Sequence, residues 1–332
     1  MGTQVLIIAE VGSVHDGSVG NALRLIDAAA EAGADAVKFQ THIAAAETLP
    51  DAPAPPFFQH ESRTDYFSRT SFDLDEWRRL KARCAECGVV FLSSPFSEEA
   101  VDLLETVGLE RYKIPSGEVT NLPLIEKIAV LRKPVLLSSG MSSWADLDLA
   151  VQTVRRVHDN LTVMGCTSEY PCPDEHVGLN VLVEMRARYG LPVGLSDHTL
   201  HPYAAIAAVV LGATVIEKHF TFSRKMYGSD AAHSMEPHEF AEMVRGIRAV
   251  ERILSNAVDK SDASRFADMK RIFQKSIVSR TEIPAGTVLT RDMLAFKKPG
   301  NGISAARVNE IVGRTTTRPI RANTLLAPDD LR

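Results

Sequence analysis

Short apolar runs bounded by polar or turn residues recur along the chain at 5–9, 35–39, 89–93, 111–115, 133–138, 161–165, 192–196 and 214–219. Runs this short and this continuously apolar fit strands buried on both faces. Between them the pattern changes to a helical period. In 21–32, Arg24, Asp27 and Glu31 fall on one face while Leu25, Ile26 and Ala29 fall elsewhere. In 237–254, Phe240, Met243, Val244, Ile247, Val250 and Leu254 repeat at helical spacing behind Pro237, a good first-turn residue. Eight β-α units within 1–255 predict an α/β fold, a parallel (β/α)8 TIM barrel, with a doubly wound sheet as the second choice. The connection 41–72 holds "LPDAPAPPFF" and "HESRTDYF", is too long for a routine link, and is expected to cover the mouth of the barrel.

The alternation stops after residue 255. The polar stretch 256–275 reads as an inter-domain linker, and 276–332 as a small second domain. Within it, "IPAGTVLTRDML" (283–294) is echoed by "IRANTLLAPDDL" (320–331), with Gly286 answered by Asn323. Both residue types tolerate positive φ, so each copy predicts a tight turn joined to a short helix.

Composition narrows the classes. Hydrophobic residues at 45% and charged ones at 24% suit a globular protein, and a formal charge of −5 leaves no basic footprint for nucleic acid. Four cysteines are too few for a disulfide framework and point to a reducing cytoplasm. Cys84 and Cys87 form C-x-x-C inside a helical pattern without a second pair, which favours packing over zinc. No run approaches the roughly 20 apolar residues of a membrane span. "MGTQVLIIAEVG" reads as a strand and not a signal peptide.

In a barrel, chemistry gathers where the strands end. The strand ends here carry, in order, Glu10; Lys38, Gln40 and Thr41; Ser93 and Ser94; Lys113, Ser116 and Glu118; Ser138 and Ser139; Thr167, Ser168 and Tyr170; Ser196, Asp197 and His198; Glu217, Lys218 and His219. Any one of these has a dull explanation as a cap or a snorkelling chain. Eight together mark a reaction rim. Ser196, Asp197 and His198 are consecutive, so strand alternation forbids a Ser-His-Asp triad. His198 and His219 end adjacent strands, whose backbones lie about 5 Å apart, so their imidazoles can share a divalent cation such as Mn²⁺. Lys38 and Lys113, beside Ser94, Ser116 and Ser138, form a cationic arc suited to a small multiply charged anion. A Schiff-base lysine is the competing reading, but two lysines among serines fit anion binding better.

The segments "IIAEVGSVHDGS", "DAVKFQTH", "FLSSPF", "YKIPSGE", "KPVLLSSGM", "CTSEYPCP", "VGLSDHT", "IEKHF" and "KKPGNGIS" closely resemble, in order and over nearly the whole chain, the sialic acid synthase family. That family includes N-acetylneuraminate, legionaminic acid and pseudaminic acid synthases, with a C-terminal antifreeze-like (SAF, β-clip) domain. The resemblance implies metal-dependent condensation of phosphoenolpyruvate with an open-chain N-acylated hexose such as N-acetylmannosamine, giving a nine-carbon 2-keto acid and phosphate. It implies Mn²⁺, or Mg²⁺ or Co²⁺, on His198 and His219. Lys38, Ser94, Lys113, Ser116 and Ser138 would surround phosphoenolpyruvate; Glu10, Gln40, Glu118, Tyr170 and Asp230 would surround the sugar and the attacking water. Ser168 and Ser196 would complete the substrate set, and Glu10, Lys113, Glu118 and Asp230 would form the catalytic set. A domain-swapped homodimer would bring Lys298 to the sugar in the other subunit. The chain departs from the family pattern at Val14 (usually Asn), Gly165 (usually His) and Lys298 (usually Arg). The first two are expected to remove polar groups from the rim, and Lys298 to lose bidentate bonding. The rivals are the same reaction on another aldose, a non-catalytic sugar-binding barrel and a Schiff-base lyase using Lys113.

Overall fold

The computed structural model describes residues 4–53 and 61–332. Its first compact unit, Met1–Asn256, is built on a closed barrel of eight parallel strands in sequential order. They are β1 (Leu6–Gly12), β2 (Ala36–Thr41), β3 (Val90–Pro95), β4 (Tyr112–Ile114), β5 (Val135–Ser138), β6 (Leu161–Cys166), β7 (Val193–Asp197) and β8 (Val215–His219). The strands lie where the apolar runs place them, displaced by at most three residues at their ends. Closure pairs β1 with β8 in the register Ile8↔Glu217 and Glu10↔His219.

Side chains alternate along each strand, so the barrel has an inner and an outer set. Ile8, Ala36, Leu92, Leu136, Met164 and Val215 form a buried apolar cluster. Two residues further along the same strands stand Glu10, Lys38, Ser94, Ser138, Cys166 and Glu217. The period of two carries this second layer inward, directly above the apolar plug. The opposite faces join the helices in the main core, which includes Ile7, Val37, Phe39, Leu137, Leu195 and Ile216.

The helices Val19–Glu31 and Pro237–Ser255 match their expected stripes, burying Ala22, Leu25, Ile26 and Ala29 in the first and Phe240, Met243, Val244 and Ile247 in the second. Helix Leu74–Glu86 opens with a capping box at Asp73 and Glu76 and buries Cys84, while Cys87 caps its end. Both cysteines are free thiols. Burial pushes the Cys84 thiol up to about 12, so it is inert packing. In the 41–72 connection, helices Ala44–Glu47 and Arg63–Thr70 are described, whereas 54–60, which includes most of "APAPPFF", lies outside the described residues. Among the described residues, no helix is long and apolar enough to cross a membrane.

The second unit, Ala257–Arg332, has its own core of Ile277, Ile283, Leu289, Leu294, Ile303, Ile311, Ile320, Leu326 and Leu331. The 256–275 stretch carries a 3-10 turn, Ser264–Phe266, and a helix, Ala267–Phe273. Strands β9 (Ser276–Ser279) and β10 (Leu294–Lys297) pair antiparallel. The two echoed segments meet each other: Ile283 and Ile320 exchange both backbone hydrogen bonds at 2.8 Å. Gly286 and Asn323 hold φ of 78° and 56°, and the 3-10 helices Arg291–Met293 and Pro328–Asp330 follow, as the repeat predicts.

Candidate active site

A cavity of about 450 Å³ opens at the C-terminal ends of the strands. It is lined by Glu10, Lys38, Gln40, Ser94, Lys113, Ser116, Ser138, Ser168, Tyr170, Ser196, His198, His219 and Asp230, which the sequence nominated. On its floor, buried charges alternate. Lys38 Nζ lies 2.7 Å from Glu10 Oε2 and 3.8 Å from Glu217 Oε1, and donates to Ser94 Oγ at 3.2 Å. Lys113 Nζ donates to Glu217 Oε1 at 2.9 Å, and Ser196 Oγ donates to the same oxygen at 3.0 Å. Burial alone would raise Glu217, but the Lys113 and Lys38 ammonium groups overcome it and hold the carboxyl below the usual range. Burial opposes the charge on Lys38 too, and Glu10 and Glu217 more than restore it.

Several groups in this cavity lack a protein partner. Among the described residues, Ser138 Oγ, Ser168 Oγ and Glu217 Oε2 are buried without a hydrogen bond. Gly140 N donates to Ser116 Oγ at 3.1 Å. Buried hydroxyls left open beside ammonium groups are what a bound anion would satisfy.

Two residues along the chain beyond Ser196 and Glu217, the rings of His198 and His219 lie 5.2 Å apart, inclined at 62°. His198 Nδ1 donates to the Thr167 carbonyl at 2.7 Å, because a carbonyl can only accept. That fixes the tautomer and leaves Nε2 with its lone pair. Burial pushes His198 down to about 3, with the neighbouring His219 adding to the effect. Tyr170 packs its ring 4.1 Å from His198 and 6.0 Å from His219. Asp230 is anchored by the Ser13 amide at 3.1 Å and lies against Gly12, where a Cβ would stand 2.3 Å from Asp230 Oδ2. Gly12 has φ of 54° beside a bulge in β1, so the close approach and the backbone both select glycine. Asp197 does not join this set: strand alternation sends Ser196 and His198 to the cavity and Asp197 to a buried ion pair with Lys218 at 2.7 Å.

Glu118 lies in a 3-10 turn, Ser116–Glu118, and lines an adjoining cavity that shares Phe96 with the first. It accepts from Asn121 Nδ2 at 2.7 Å. Burial raises its pKa, and Glu47 adds to that, against Asn121 and Arg63. Lys298 belongs to the second unit, where its Nζ lies 4.9 Å from the Phe273 ring centroid.

The structure corrects two expectations about the rim. Val14 is fully buried in the main core. Gly165 faces the helix layer, where an added Cβ would meet Leu182 Cδ2 at 2.8 Å. Neither lines the cavity, so neither departure strips a polar group from it. The reason is parity: Cys166, not Gly165, is the inward residue of β6. Arg63, Phe67, Phe96, Met141 and His233 also line the cavity without having been expected there, and Glu217, placed on the rim by the sequence but given no role, joins them. Glu217 was legible, since it stands two residues before His219 on one strand. Arg63 and Phe67 come from the long connection, where no period marks an inward face.

A closed parallel barrel with a charged cavity at the C-terminal ends of its strands is the architecture of a (β/α)8 enzyme. The NeuB family model matches residues 25–259, and the SAF domain model matches 274–332. The chain is 37% identical to the N,N'-diacetyllegionaminic acid synthase of Campylobacter jejuni over 97% of this chain and 99% of that one. It is 36% identical to the human N-acetylneuraminate-9-phosphate synthase over 88% of this chain and 82% of that one. The crystal structure of the sialic acid synthetase of Leptospira borgpetersenii, in complex with citrate, superposes with a TM-score of 0.71 at 30% identity, covering 80% of this chain and 90% of that one. The chain belongs to the NeuB family, with a C-terminal SAF domain. It is an enzyme of that family, whose shared reaction condenses phosphoenolpyruvate with an amino-sugar aldose to give a nonulosonic acid.

Proposed function

We propose that the chain joins C3 of phosphoenolpyruvate to the aldehyde carbon of an open-chain N-acylated hexose, N-acetylmannosamine or a relative, in the cavity above the apolar plug. Its main support is the convergence of Lys38 and Lys113 with the unpartnered Ser138 and Ser168 hydroxyls in the cavity that the His198–His219 pair also lines. In this reading Lys38, Lys113, Ser94, Ser116, Ser138, Ser168 and Ser196 bind the phosphate and carboxylate of phosphoenolpyruvate. Glu10, Gln40, Tyr170 and Asp230 orient the sugar. Glu118, which the family resemblance assigns to the water that adds at C2, takes that water's proton from the adjoining cavity that its carboxylate lines, its basicity raised by burial. The C2–O bond to phosphate then breaks, the C2 hydroxyl giving its proton to the departing phosphate as the ketone forms, while the proton taken by Glu118 balances the one gained by the former aldehyde oxygen.

The donor set fits a divalent ion. Among the described residues there is no cluster of three or more His, Cys, Asp or Glu for a metal. Two imidazoles, that of His198 already oriented through Thr167, would instead hold an ion whose other positions go to substrate and water. Mn²⁺ suits such a site, with Mg²⁺ or Co²⁺ as alternatives, and when bound it supplies a Lewis acid for the aldehyde. In the same reading the protein is a cytoplasmic homodimer in which each SAF domain, through Lys298, closes the other subunit's cavity.

The test is phosphate release from phosphoenolpyruvate with Mn²⁺ across N-acetylmannosamine, its 6-phosphate and diacetamido hexoses, repeated with chelator. Turnover on one acceptor, lost with chelator and restored by Mn²⁺, is expected. No turnover on any of them overturns the proposal. Borohydride trapping of a substrate adduct would replace it with the Schiff-base reading.

A further inference from the structure

A hydrogen-bonded chain enters the cavity from the connection after β2. Glu47 Oε1 lies 2.8 Å from His42 Nδ1, and His42 Nε2 lies 3.1 Å from Gln40 Oε1. Gln40 Nε2 donates to Glu10 Oε1 at 2.8 Å, and Glu10 Oε2 faces Lys38 Nζ at 2.7 Å. His42 is 7% exposed, and its ring is stacked on Phe67 at 3.7 Å and on Phe96 at 4.1 Å, both of which line the cavity.

The direction of each bond follows from what each group can do. The Glu10 carboxylate, paired with Lys38, only accepts, so the Gln40 NH₂ must face it. That leaves Gln40 Oε1 toward His42, and an amide oxygen only accepts, so Nε2 carries a proton. Nδ1 meets a Glu47 oxygen, so a second proton lies between those two atoms. Whichever atom holds it, His42 presents an N–H to Gln40. Flipping the Gln40 amide would set oxygen against carboxylate at one end and N–H against N–H at the other.

We infer that His42 is a positioning residue that locks the Gln40 amide toward Glu10 and thereby sets affinity for the acceptor sugar, with Glu47 steadying its other nitrogen. The inference rests on the proposed role of Gln40 and Glu10 at the sugar. Stacking also ties the helix Arg63–Thr70, through Phe67, to this lock.

Steady-state kinetics of three variants test it. H42F keeps a stacked ring and removes both nitrogens; its KM for the acceptor should rise about tenfold, the worth of one hydrogen bond, with the KM for phosphoenolpyruvate unchanged. E47Q can still bond Nδ1 and leaves the Nε2 proton in place, so its acceptor KM should stay within about twofold. Q40A separates the two levels of argument. If Q40A leaves the acceptor KM unchanged, the assignment of Gln40 to the sugar fails. If Q40A raises it and H42F does not, the lock is overturned, as it is if E47Q equals H42F or if both substrates' KM values rise together. Should H42F fail to fold, ¹⁵N NMR of histidine-labelled wild-type protein, with the His42 signals assigned through E47Q, decides: a protonated Nε2 is expected, and a bare Nε2 overturns the proposal.

Discussion

Two sets of buried charge stand on the barrel strands, one on each face of the wall, and β8 carries a member of each, Glu217 and Lys218. Lys218 and Asp197 face away from the cavity, and both are saturated. Lys218 Nζ reaches Asp197 Oδ2 at 2.7 Å, Thr199 Oγ1 at 3.0 Å, the His201 carbonyl at 3.2 Å and the Thr199 carbonyl. Asp197 also accepts from the Thr199 amide at 2.8 Å and from its hydroxyl at 3.2 Å. Lys38, Lys113, Glu10 and Glu217 face the cavity, and their set is incomplete: Glu217 Oε2 and the nearby Ser138 and Ser168 hydroxyls are left open. Satisfied buried charge holds the backbone after β7 in place. Charge surrounded by open hydroxyls awaits a ligand.

That contrast predicts different failures. Lys218→Met leaves the Asp197 carboxylate buried and unpaired, and should cost about 3–5 kcal/mol of stability in denaturant titrations. Lys113→Met should lower stability less, because Lys38 remains 3.8 Å from Glu217 and the cavity admits water. Its kcat/KM should nevertheless fall by about 10²–10³, as when a donor to a reacting oxyanion is removed. Equal stability losses in the two variants would erase the distinction.

A weaker handle is pH. Burial pushes His15 down to about 4, and its Nδ1 accepts from the Gly17 amide at 3.1 Å, so the native state keeps it neutral. The unfolded state takes up the proton below about 6.5, the native state only below about 4. Stability due to His15 is therefore full above pH 6.5 and declines as pH falls toward 4, by roughly 3 kcal/mol in all. Urea titrations of His15→Gln should show a shallower decline across that window. An unchanged slope would show that His15 is protonated in the native state.

The smallest effect concerns the departures from the family pattern. Gly165→His meets Leu182 in the helix layer, so it should cost about 1–3 kcal/mol through overpacking and leave acceptor preference unchanged. A shift in acceptor preference would place the inward face of β6 one residue away from where the structure has it.

The sequence by itself determined the barrel, because short continuous apolar runs between helical stripes have few other ways to bury both faces. It determined most of the rim as well, since a strand's polar end is visible as the place where its apolar run stops. It also marked the turns at Gly286 and Asn323, where only residues tolerant of positive φ serve. Parity was left to the tertiary structure. Whether Cys166 or Gly165 enters the cavity depends on which face of β6 meets the apolar plug, and a strand this short does not alternate clearly enough to reveal it. Long-range convergence was also a tertiary matter. Arg63, Phe67, Glu47 and His42 lie on a connection without period, and only its tertiary packing stacks His42 on Phe67 and brings Glu47 and His42 into one hydrogen-bonded chain with Gln40 of β2.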